Sequence, residues 1–85
     1  MITLRDISSQ IGGTLVGNPE LLVTGPSEPK HASEEQLAMA LSNKYINEVG
    51  LGNAKAALFN RRVDWRALKL EGAIFLNKGK TALYE

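Results

Sequence analysis

The chain has 85 residues, 44% of them hydrophobic and 22% charged, with no cysteine and a formal net charge of +1. A chain this short forms one domain with one modest core and buries only a little over ~60% of the surface its unfolded form exposes. The composition is that of a folded globular protein and excludes a disordered, collagen-like or disulfide-scaffold chain. A charge near zero gives no field to steer nucleic acid or an anionic membrane, leaving only a local basic patch as an electrostatic lead, and no nucleic-acid partner is expected. Without cysteine, and with His31 the sole histidine, no thiolate or multi-histidine metal site can be built, and no cofactor is expected.

The N-terminus lacks a basic region followed by a long apolar run, and no stretch approaches the ~18 apolar residues of a membrane span. The chain therefore reads as cytoplasmic. Thr3-Leu4-Arg5-Asp6 has the form of a capping box, with the Thr3 hydroxyl accepting the Asp6 amide proton. Leu4, Ile7 and Ile11 then follow helical spacing, and Gly12-Gly13 supplies the permissive backbone that ends a helix. Thr14-Leu15-Val16 and Leu21-Leu22-Val23-Thr24 are β-prone runs on either side of Gly17-Asn18-Pro19-Glu20, which predicts an antiparallel hairpin. From Gly25 to Glu35 the prolines and polar residues predict a surface loop.

Leu37 to Leu41 is a continuous apolar run and predicts a buried strand; Ser42-Asn43 then caps a helix over 44–51, which Gly50 and Gly52 close. Ala56-Ala57-Leu58-Phe59 and Ala73-Ile74-Phe75-Leu76 read as further buried strands, so the second half has a β-α-β character and the sheet is at least partly parallel. Between them, Val63 to Leu68 predicts a brief helical turn that lays Trp65 and Leu68 on the core. Thr81 to Glu85 has helix-forming character but stops after about one turn, too short for a stable isolated helix, so the natural chain is expected to continue. The expected architecture is a small single α/β domain, with a mixed sheet of about five short strands and short helices.

Little in this sequence suggests catalysis. There is no nucleophile elbow, Walker A loop or dinucleotide glycine fingerprint, and Gly12-Gly13 sits where a helix cap is expected. His31 lies in the proline-flanked polar loop, where it lacks the cleft and orienting partner a general base needs. Glu34-Glu35, Asp6 and Asp64 form no paired-acid arrangement and read as solvated charges. Arg61-Arg62 and Lys78-Gly79-Lys80 follow predicted strands and could touch phosphate, against the simpler reading of solvated loop charges. Ser42-Asn43-Lys44-Tyr45 gathers a phenol ring and small polar groups at a strand-to-helix junction, which suits stacking and edge recognition of a base. The same residues could simply cap the helix and pack on its first turn.

Three stretches make the sequence familiar: Ile2-Thr3-Leu4-Arg5-Asp6-Ile7; Gly12-Gly13-Thr14-Leu15-Val16-Gly17-Asn18-Pro19; and Val23-Thr24-Gly25. They resemble the opening of the UDP-3-O-acylglucosamine N-acyltransferase family of lipid A biosynthesis. That family continues through a loop into a strand and the segment Phe-Leu-Ser-Asn-Pro-Lys-Tyr, which aligns without a gap on Met39 to Tyr45. Ala54-Lys55-Ala56-Ala57 and Ala73-Ile74-Phe75-Leu76 resemble the strands that follow, so the resemblance covers nearly the whole chain.

It implies that residues 1–85 form an N-terminal nucleotide-recognition domain that holds the uracil of a UDP-sugar between aromatic rings. The catalytic left-handed β-helix, its histidine and the homotrimer contacts would then lie elsewhere; no aliphatic position recurs here at the ~6-residue period of such a helix. The implied parent activity is transfer of a 3-hydroxyacyl chain from acyl carrier protein to the 2-amino group of UDP-3-O-acylglucosamine. Tyr45 falls on the family's stacking tyrosine, Met39 on its stacking phenylalanine, Ser42 on its base-reading asparagine and Asn43 on its proline. A one-residue gap would instead put Asn43 at the asparagine and Ala40 at the phenylalanine. These residues are the expected uracil site, with methionine able to flank a ring through its polarizable sulfur.

Two other readings compete. The N-terminal domain of the UDP-N-acetylmuramoyl peptide ligases also holds a uridine nucleotide, but its Asp-Ser-Arg motif is absent from Thr24-Gly25-Pro26-Ser27-Glu28. A structural or interaction domain without nucleotide binding would equally account for Met39 and Ser42.

Overall fold

A computed structural model describes residues 1–76. Lys78, Lys80 and the C-terminal helix expected from Thr81 lie outside the described residues. The protein is a small α/β domain with a mixed five-stranded sheet and two short helices. Strand β1 (Ile2–Thr3) runs straight into helix α1 (Leu4–Ile11). Thr3 is extended and its hydroxyl oxygen accepts the Asp6 N–H at 3.2 Å, while Gly12, at φ 75°, ends the helix by donating its N–H to the Ser8 carbonyl. Both ends of α1 are as the sequence predicts.

Strands β2 (Thr14–Gly17) and β3 (Leu22–Val23) also form, but the expected hairpin between them does not. β2 pairs antiparallel with β7 (Gly72–Phe75), setting Thr14 against Phe75, whereas β3 pairs with β1, setting Val23 against Ile2. The intervening turn explains the divergence. Gly17 turns at φ 82°, the Asn18 N–H donates to the Glu71 carbonyl, and the Asn18 side-chain oxygen accepts the Glu20 N–H at 3.0 Å. The carbonyls of Pro19 and Leu21 then accept the N–H groups of Arg5 and Leu4, both at 3.0 Å. These donors have no partner inside the helix, so α1 takes up backbone acceptors near the turn and draws the chain away from β2.

The expected loop from Gly25 to Glu35 is also corrected. It contains strand β4 (Gly25–Ser27), parallel to β5 (Gln36–Ala40), and a single 3₁₀ turn over Pro29–His31. Pro26 fits because β4 lies at the sheet edge, where a missing N–H leaves no ladder bond unmade. From β5 the chain passes through α2 (Asn43–Glu48) and a 3₁₀ turn at Val49–Leu51 into β6 (Ala56–Phe59). Successive turns over 64–69 lead to β7. The sheet order is β2-β7-β6-β5-β4, with β4 to β7 mutually parallel and β2 antiparallel at one edge.

Every residue of β6 and β7 is buried because both faces of the sheet are covered. On one face Leu37, Leu58 and Ile74 meet Leu4 of α1 and Val23 of β3. On the other, Ala38, Ala40, Ala57 and Ala73 leave room for Ile46 and Val49, beside the Phe59 and Phe75 rings. Those rings lie 5.8 Å apart, and Trp65 and Leu68 pack against the same cluster, as expected. No helix of the described residues is long and apolar enough to cross a membrane.

Candidate functional site at the strand ends

Parallel strands β4 and β5 end side by side, and α2 starts just beyond β5. This junction encloses an open groove of about 350 Å³, lined by Pro26, Ser27, Glu28, Met39, Leu41 and Tyr45. The alternation of β5 sets the face to which each residue belongs: Leu37 and Met39 join the α1 side, whereas Ala38 and Ala40 join the α2 side. Met39 remains half-buried at the strand end, and Leu41 is 40% exposed. Tyr45 is half-buried, packed on the α2-side core and also lining the groove.

Local hydrogen bonds fix the start of α2, which carries the tyrosine. Ser42 is extended, its hydroxyl oxygen accepts the Tyr45 N–H at 3.5 Å, and its carbonyl accepts the Ile46 N–H at 2.9 Å. Ser42 thus acts as the helix cap. The Lys44 ammonium lies 5.5 Å from the center of the Tyr45 ring. Asn43 points its side-chain oxygen to Arg61, accepting from Nε at 3.3 Å and Nη2 at 3.1 Å. Of the four residues expected at a uracil site, Met39 and Tyr45 line the groove; Ser42 and Asn43 stand at its margin with these other partners.

Sequence reading missed Pro26, Ser27, Glu28 and Leu41. The first three come from a segment whose strand character depends on pairing with β5, so local composition carries almost no signal for them. Arg61 and Arg62 follow the carboxyl end of β6, both exposed, with the Arg62 guanidinium 5.8 Å from the Phe75 ring. His31 is exposed in the Pro29–His31 turn. Glu34 and Glu35, with Ser33 and Asn53, line a second hollow of about 530 Å³. That larger hollow is polar and lies at the amino ends of β5 and β6, the rim opposite the groove. Among the described residues no cluster of three or more histidine, aspartate or glutamate side chains could hold a metal ion.

The fold and groove define a small α/β domain with a largely apolar hollow at the carboxyl ends of its parallel strands, the rim where open α/β sheets commonly hold ligands. The chain is 37% identical, over 81 residues and 95% of its length, to the UDP-3-O-acylglucosamine N-acyltransferase of Ruegeria pomeroyi. It is 29% identical, over 82 residues and 96% of its length, to the protein of the same name from Paracoccus denitrificans. The chain spans 22% of the length of each of these relatives. No protein-family model matches the chain.

Proposed function

We propose that this chain is the N-terminal uridine-recognition domain of a UDP-3-O-acylglucosamine N-acyltransferase, and that the groove between β4, β5 and α2 receives the uracil. The observation that carries this reading is the meeting of Met39 and Tyr45 in one groove at the strand ends. Similarity to the two named acyltransferases along nearly the whole chain supports it. The base stacks on the Tyr45 ring, a contact typically worth ~1–3 kcal/mol, with the Met39 thioether against its edge or opposite face. Ser27 and Glu28 supply polar groups at the lip of the groove. In this reading acyl transfer from acyl carrier protein belongs to a separate trimeric domain, and residues 1–85 alone transfer no acyl group.

The test is an NMR titration with UDP and UDP-N-acetylglucosamine. Shifts should cluster at 26–28 and 39–45, and Tyr45→Ala should weaken binding by about tenfold or more, in line with the loss of one stacking contact. Absence of shifts at millimolar nucleotide would sink the proposal. One observation favors a second reading, a domain that does not bind nucleotide: Ser42 and Asn43 are engaged with Tyr45 and Arg61, and among the described residues no side-chain amide lines the groove. That reading predicts a silent titration.

A further inference from the structure

Arg61 differs from an ordinary surface arginine. Its guanidinium is held in place by a neutral group, the Asn43 side-chain oxygen, through Nε at 3.3 Å and Nη2 at 3.1 Å. Its Nη1 reaches the Arg62 carbonyl at 3.5 Å. An arginine has five N–H donors in a planar fork, so these contacts leave donors open on both terminal nitrogens. They also leave the charge intact. Among the described residues neither Arg61 nor Arg62 pairs with a carboxylate, whereas Arg5 pairs with Glu20 and Lys55 with Glu71.

Arg61 follows β6, the strand beside β5, whose end borders the groove. Leu41, which lines the groove, gives its carbonyl to the Asn60 side-chain amide at 2.6 Å, and Arg61 is the next residue. In the sheet order β6-β5-β4, Arg61 follows β6 on one side of the groove, and Glu28 follows β4 on the other. An anionic group on a ligand seated between them is repelled from the Glu28 lip and drawn toward Arg61.

We propose that Arg61, oriented by Asn43 and assisted by the charge of Arg62, recognizes the diphosphate of the nucleotide whose base occupies the groove. The inference rests on the uracil reading of that groove. A guanidinium fork matches phosphate oxygens geometrically, and hydrogen bonds between two charged groups are about twice as strong as neutral ones. Asn43 is here a positioning residue.

Calorimetric titration of the full chain with uridine and with UDP separates the two ideas. UDP should bind about tenfold or more tightly than uridine at low salt, and the gap should narrow as salt is raised. Arg61→Gln should shrink the gap to about twofold or less and leave uridine binding unchanged. Asn43→Ala, which frees the guanidinium without removing its charge, should shrink it part of the way. Equal affinity for uridine and UDP in the unmodified chain, or a gap that survives Arg61→Gln, would overturn the diphosphate role and leave the uracil reading intact. Failure of both ligands to bind would overturn the uracil reading, and this inference with it.

Discussion

Gly17 turns at φ 82°, a conformation most side chains resist, and a Cβ there would lie 2.5 Å from the Glu71 carbonyl oxygen and 3.0 Å from the Trp65 ring. Gly17→Ala should therefore cost at least about 1–2 kcal/mol, read as a lowered urea midpoint with an unchanged slope. The position matters because this turn sends the chain from the sheet edge toward α1. Single residues near the groove were only partly legible from the sequence. Tyr45 and Met39 could be singled out because a strand-to-helix junction is a local pattern. The use of Asn43 depends on Arg61, eighteen positions away in sequence, and no local pattern reveals that partnership.

Helix α1 shows how far local signals reach. Its start and stop were both written in adjacent residues, Thr3 with Asp6 and Ser8 with Gly12. Thr3→Ala should destabilize the fold by about 1 kcal/mol, and Thr3→Ser should restore most of that; thermal melts followed by circular dichroism would show both. The central strands were legible for a similar reason, since runs such as Ala56 to Phe59 can be buried on both sides only within a covered sheet. Pairing was less legible. β2 and β3 have the composition of a hairpin, yet each found a partner distant in sequence or on the other side of α1. β4, with its Gly-Pro-Ser sequence, has almost no strand propensity, and becomes a strand only through its parallel contact with β5. The part of the groove contributed by β4 was hidden with it.

At the scale of the whole molecule, a domain this small has little stability to lose. Phe59 is fully buried against Phe75, on the face where most other sheet residues are alanine. Phe59→Ala should cost about 3–5 kcal/mol, enough that the variant should show a shallow melt or none, whereas Arg61→Gln, at an exposed position, should melt with the unmodified chain. The antiparallel edge strand has one more consequence, which concerns synthesis. β2 emerges early, but its partner β7 comes near the end of the described chain and also completes the parallel set by pairing with β6. Until those last strand residues leave the ribosome, the nascent chain carries two unfilled sheet edges and an uncovered apolar surface. Pairings this far apart in sequence form slowly, so closure of the sheet waits for β7.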